Sequence, residues 1–319
     1  MEVIRMIAKR LVLMCTVVVI ATFLLSLLMW ILPGDPVQMM VPNAIDTQRD
    51  VIREATGLDR GIFGYYWKWL HDVLTGNFGS YYLNGGTQPV STVLARSLPP
   101  TLQLICYSQV VSLVISIPLG LITAYKENSR LDKFISSIMF TLISLPSFAF
   151  ALILALVISV KLGWVDPVGY EPFGGDILKH FRQMALPVVS LSVGLAASYT
   201  RLLRNDVIAT LKEDYVTMAA SKGISDRRVL WKHVFRPSST TLLTSAALNM
   251  GGLIGGTLIV ETIFAIPGIG YEIFYTIGAR QVVAMQTMIA LIAFAYVFFN
   301  STVDLLTNIT DPRTRERRN

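Results

Sequence analysis

Apolar positions in this chain run together rather than alternate. Six long hydrophobic stretches, approximately 11–32, 99–125, 134–160, 185–204, 238–264 and 283–304, are separated by segments that hold most of the charge. Stretches this long without period-two alternation read as helices, and only helices or closed barrels satisfy the backbone inside lipid. The first, LVLMCTVVVIATFLLSLLMWIL, has 22 uncharged residues. At 1.5 Å per residue it reaches about 33 Å, enough to cross a hydrocarbon core of ~30 Å. The pattern predicts an all-α integral membrane protein with six transmembrane helices.

Two of the six need comment. Arg5, Lys9 and Arg10 precede the first stretch as they would in a secretion signal. That stretch is longer than the usual apolar core of about 7–15 residues, and no small-x-small cleavage site follows, so it reads as a retained first helix. The fourth is interrupted by Arg201 and Arg204. With that end facing the cytoplasm, both side chains are expected to snorkel to the headgroups.

Composition agrees with the pattern. Hydrophobic residues make up 53% of the 319 and charged residues only 15%, against about 25% charged in soluble domains. Charge placement then adds orientation. Segments 1–10, 126–133, 201–236 and 305–319 hold 18 of the 27 Lys and Arg residues, and the longer set 33–98, 161–184 and 265–282 holds nine. The positive-inside rule puts both termini and 201–236 in the cytoplasm. The net charge of +6 is then a topology signal, and nucleic acid is not expected as a partner.

The connections differ in character. The 66 residues of 33–98 exceed what a helix–helix connection needs. They carry PGDP (33–36), a polar helix-like stretch near 46–56, YYWKWL (65–70) and GNFGSYY (76–82), which reads as a small folded cap on the outer surface. Between the fourth and fifth stretches, NDVIATLKEDYVTMAASKG permits a helix ending at Gly223. Ser225 is a plausible N-cap for a second short helix, Asp226 suits its first turn, and Pro237 is expected to end it. Val229, Leu230, His233 and Val234 share one face of that helix, an exposed apolar stripe with reason to exist only if another protein covers it.

Breakers sit within or at the edges of the membrane stretches: Pro118, Pro146, Pro187 and the MGGLIGG run at 250–256. They serve either simple packing or a translocation path lined by kinked, closely packed helices. Cys15 and Cys106 read as small buried residues without a disulfide framework. His71, His180 and His233 lie on different loops without metal spacing and read as exposed. There is no G-x-x-x-x-G-K-[ST] phosphate loop, no H-E-x-x-H and no G-x-S-x-G.

EDYVTMAASKGISDRRVLWKHVFRP (213–237) resembles the E-A-A loop of permease subunits of bacterial ATP-binding-cassette importers, with Ala219, Ala220 and Gly223 on its Ala-Ala-x-x-Gly core. LPGDP (32–36), GNFG (76–79), ETIFAIPGIG (261–270) and DPR (311–313) are similar to blocks of the dipeptide/oligopeptide branch, which nickel and glutathione systems share. Asn77 stands where that branch usually has aspartate, and Met218–Ser221 replaces its commoner TARAKG context.

The resemblance implies a type I importer permease with a first helix over 1–32, an outer cap over 33–98 and a five-helix core over 99–319 containing a coupling loop at 206–237. It implies pairing with a second, similar permease, two cytoplasmic ATP-binding subunits docked on the E-A-A loops, and an extracytoplasmic binding protein that delivers a peptide. This chain would bind no cofactor, with ATP and magnesium held by its partners, and would not itself be an enzyme. Asp214, Ala219, Ala220, Gly223, Ser225, Val229, Leu230 and Val234 would carry coupling. Gly251, Gly252, Gly255, Gly256, Glu261, Pro267, Gly268 and Gly270 would lie on the pathway or at helix contacts. Expected residence is the bacterial cytoplasmic membrane. The rival from another class is a stand-alone secondary transporter, which places ionisable groups mid-membrane; here Glu261 and Asp304 fall near span ends.

Overall fold

The computed structural model describes residues 2–31, 33–83, 86–166 and 168–310. The DPR block and Leu32 lie outside them. The chain forms two compact units, one from Met1–Thr101 with Ile266–Ser301, the other from Leu102–Ala265 with Thr302–Asn319.

The first unit starts with α1 (Glu2–Ile31), then three short helices, α2 (Pro36–Met40), α3 (Asp46–Thr56) and α4 (Gly61–Leu74). An antiparallel hairpin follows, β1 (Ser80–Leu83) with β2 (Gly86–Pro89), pairing Tyr81 with Gln88 and Tyr82 with Thr87. This pair of strands departs from the all-α expectation, and a glutamine explains where it sits. The Gln281 side chain accepts from the Tyr82 amide at 2.9 Å and donates to the Tyr82 carbonyl at 2.7 Å, standing in for a third strand.

α12 (Ile269–Gly278) and α13 (Val282–Thr310) as far as Ser301 complete the unit. The start of α13 anchors α4 and the turn before β1 by polar contacts. Tyr65 donates to Gln286 at 2.8 Å, Trp69 Nε1 to Thr287 at 3.0 Å, and Thr287 to the Phe78 carbonyl at 3.1 Å. Val37, Met40, Tyr65, Tyr66, Trp69, Val282 and Val283 form the apolar core around them.

The GNFG block has a local reason. Asn77 Oδ1 accepts from the Gly79 amide at 3.1 Å, and Gly79 takes φ +81°. A Cβ there would stand 2.5 Å from Val283 Cγ1. Gly79→Ala is expected to cost about 2 kcal/mol, from the left-handed backbone plus the clash. The check is melting in detergent, with Val283→Ala in the same chain recovering only the clash.

α5 runs over Val90–Tyr125, starting nine residues before the predicted boundary at 99. Its residues from Leu102 onward belong to the second unit, with α6 (Arg130–Ser144), α7 (Ser147–Leu154, continued by a π-helical turn Ala155–Lys161), α8 (Ile177–Leu211), α9 (Asp214–Ser221), α10 (Asp226–Arg228) and α11 (Arg236–Phe264).

Among the described residues five helices are long and apolar enough to cross a membrane, or six if α6 and α7 count as one broken span. The single helix expected over 134–160 is instead bent by 99° between α6 and α7. Pro146 is the cause. It lacks an amide hydrogen and forces the preceding residue out of the helical region, so Leu145 sits at φ −87°, ψ 121°.

Three more expectations change. α8 continues to Leu211 rather than stopping near 204. Cys15 and Cys106 are exposed on the chain's surface, where an apolar side chain can face lipid. His180 is completely buried, while His71 keeps 77% of its side chain exposed. The His180 ring donates through Nδ1 to the Glu171 carbonyl at 2.6 Å, so its Nε2 accepts from the Tyr107 hydroxyl at 3.3 Å. Rings of Tyr107, Tyr170, Phe173 and Phe181 surround it edge-on or tilted within 6 Å.

Candidate functional site

The charged segment after α8 is a compact corner built on the second unit's core. Lys212 and Glu213 turn the chain, and α9 then buries Val216 and Ala219 three residues apart. Asp214 lies in its first turn, where an acid suits the helix dipole. Tyr215 and Met218 point outward, 45% and 57% exposed. Ala220 is within α9.

Gly223 has φ +76°, and the Ile224 amide reaches back across it to the Ala219 carbonyl. That closes α9 in the manner of a left-handed cap. The corner forecast at this glycine is present. Among the described residues nothing lies within 4 Å of the position a Cβ would take, so there the backbone conformation is what restricts residue 223. Ser225 immediately precedes α10, and its carbonyl accepts from the Arg228 and Val229 amides.

The following apolar face does not lie where the sequence suggests. Val229 and Val234 are buried, 7% and 0% exposed, and Leu230 is half-buried against the same cluster. They pack with Leu121 and Ala124 of α5 and with Leu203 and Val207 of α8. The stripe expected to await a partner is the chain's own core. Arg227, Arg228, Trp231 and Lys232 face outward instead, Trp231 set edge-on to Phe235 at 5.3 Å.

Pro237 does not end the helix either. α10 passes through a π-helical stretch, Val229–Phe235, directly into α11, with Pro237 in the first turn of α11. Proline brings no amide hydrogen, so the His233 carbonyl, four residues earlier, loses its α-helical donor. The Tyr215 hydroxyl of α9 donates to that carbonyl at 3.2 Å. Beside it, Thr210 and Ser238 pair their hydroxyls at 3.0 Å, joining α8 to α11.

Tyr215→Phe is expected to cost about 1 kcal/mol, the worth of one hydrogen bond. In a Pro237→Ala background, where residue 237 can itself donate to His233, the same change should cost little. Melting of the four proteins in detergent checks this cycle.

The other candidate residues scatter. Gly251 is buried in α11, but Gly252 and Gly255 are exposed, with open space where a Cβ would stand. Close contact within this chain therefore fails at those two glycines. A Cβ on Gly256 would meet Leu191 Cδ2 at an ordinary 3.6 Å. Glu261 is completely buried near the end of α11. Gly268 caps the start of α12 and is buried, as is Gly270, while Pro267 is half-buried. The Ile269 amide donates to Thr101 at 2.9 Å.

Residues 116–316 match the family described as binding-protein-dependent transport system inner membrane component, and residues 3–105 match its N-terminal domain. The chain belongs to that family. This permease is 32% identical to a putative peptide transport system permease protein of Brucella abortus, over 97% of this chain and 98% of the relative. It is 34% identical to the oligopeptide transport system permease protein AppB of Bacillus subtilis, over 92% and 93%. It is 32% identical to the nickel import system permease protein NikB of Staphylococcus aureus, over 99% and 93%. It is a permease component of an importer of the ATP-binding-cassette class, a multi-pass membrane protein, and its role is translocation.

Sequence reasoning missed the outward set of Tyr215, Met218 and Trp231. One signal was available: a proline four residues after His233 announces a carbonyl in need of another donor.

Proposed function

We propose that this permease forms half of a peptide pathway, paired with a second homologous subunit, and that segment 206–237 transmits the movement of a cytoplasmic ATPase. The observation that carries the coupling role is the corner itself. α9 and the α10–α11 helix share one buried core across a left-handed glycine, so a push on α9 moves α11 as a body. ATP and magnesium would be held by the partner ATPases. The ATPase meets the outward side: Tyr215, Met218, Trp231 and the guanidinium groups of Arg227 and Arg228. Val229, Leu230, Val234 and Ala219 act beneath it as the rigid support. Gly252 and Gly255 turn their open face toward the second permease subunit, where small residues let helices approach closely. Gly251, Gly256, Glu261 and the Pro267–Gly270 turn support that path.

Peptide cargo rests on the names of the Brucella and Bacillus relatives; nickel, from the Staphylococcus relative, is the alternative cargo. The test is purification in mild detergent with identification of co-purifying subunits, then uptake in vesicles with peptide-loaded or nickel-loaded binding protein. Peptide-dependent, ATP-dependent uptake supports the reading. Transport by this chain alone, without ATP, would return it to the stand-alone transporters.

Orientation follows from the basic residues, with both termini and 206–237 cytoplasmic and the cap at 33–98 outside. In a chain lacking Cys15 and Cys106, an impermeant thiol reagent should label Thr47→Cys in whole cells and leave Ser225→Cys untouched. The reverse pattern would invert the topology.

A further inference from the structure

Arg204, expected to snorkel, is instead held by protein. Its Nε and Nη2 reach both carboxylate oxygens of Asp132 at 2.8 Å. Arg201, one turn earlier on α8, is exposed and has no acidic partner among the described residues. Both border a cavity of about 230 Å³ between α6 and α8, and among the described residues no carboxylate lines it. Met139 and Phe140 supply an apolar wall, Ser136 and Asn205 neutral polar groups. Phe134, Ile138 and Phe140, 39–67% exposed, continue the apolar surface of α6 beyond the groove, and Lys133 near the start of α6 is also exposed.

We propose that this groove binds the headgroup of an anionic phospholipid. Asp132 neutralises Arg204, so one guanidinium remains to meet an anion, and its planar fork suits a phosphodiester. The apolar wall continuing along α6 suits an acyl chain better than the rim of a protein interface. This rests only on the chain being a membrane protein, and stands or falls apart from its cargo.

The test is native mass spectrometry of the purified complex, dosed separately with phosphatidylglycerol and phosphatidylcholine. A preference of about fivefold for phosphatidylglycerol is expected from one interfacial cation. Arg201→Gln should abolish the preference and Arg201→Lys should keep part of it. Ser136→Trp, which fills the groove while leaving both arginines, should lower binding of either lipid, and Arg60→Gln, which removes an exposed arginine away from the groove, should leave the preference unchanged. Equal retention of the two lipids by the unmutated protein overturns the proposal. So does a preference that survives both Arg201→Gln and Ser136→Trp. Loss of a protein subunit without loss of lipid in Arg201→Gln would assign the groove to a protein interface instead.

Discussion

Asp132→Ala is expected to lower the stability of the second unit by about 3 kcal/mol, the scale for removing one partner of a buried ion pair. Asp132 is 3% exposed, and the Arg204 side chain keeps 22%. The carboxylate also accepts from the Asn128 amide at 3.0 Å and the Ser136 hydroxyl at 3.2 Å, while Ser129 caps the Asp132 amide at 3.1 Å. Its loss therefore leaves the Asn128 amide without this acceptor and strands a guanidinium at once, while Ser129 still caps α6 through the backbone amide of residue 132. Asp132→Asn separates the two effects, since it keeps the shape and removes the charge. Pairing Asp132→Ala with Arg204→Met should cost less than the sum of the single changes, because no unpaired charge is left. Melting of the detergent-purified protein reads all of these. Equal melting of Asp132→Ala and the unmutated protein would mean that the ion pair contributes nothing to α6–α8 packing.

Gly223→Val should lower uptake and substrate-stimulated ATP hydrolysis together while leaving membrane insertion intact. The cost comes from the backbone: φ +76° is open to glycine and costs a β-branched residue roughly 1–2 kcal/mol. Steric crowding adds nothing from the described residues, because none of their atoms lies within 4 Å of the Cβ position. Gly223→Asn, which tolerates the left-handed region, should therefore retain much more activity than Gly223→Val. Arg227→Gln should do less than valine, since exposed ion pairs contribute about 0–1 kcal/mol. The measurement is ATP hydrolysis and uptake in the same reconstituted vesicles. Full activity of Gly223→Val would remove the coupling role from this corner.

The two predictions differ in how far they could be read without a structure. The Gly223 corner follows from local chemistry: a helix-permissive run, a glycine, then Ser-Asp ahead of another helix. The Arg204–Asp132 pair joins residues 72 apart, and nothing along the chain marks them as partners. Arg204 looked like a group bound for the headgroups, and Arg201, on the same helix face, still does. Which arginine found a carboxylate depended on how α6 packs against α8.

Lipid imposes a condition that a chain meets locally, since each crossing segment must be long, apolar and hydrogen-bonded to itself. For that reason the sequence alone determined the class, the position of most spans and, through its basic residues, an orientation to test. It also marked Gly223, because a left-handed backbone is a local requirement. Facing was another matter. An apolar side chain is stable against lipid, a partner or its own core, so the pattern that announced an apolar stripe at Val229, Leu230 and Val234 carried no information about what covers it. Packing against α5 and α8 turned that stripe inward and left Tyr215, Met218 and Trp231 outside. The continuous passage through Pro237 and the burial of His180 were decided in the same way. Each depends on which distant donor, acceptor or ring reaches the polar atoms that the local chain leaves unsatisfied.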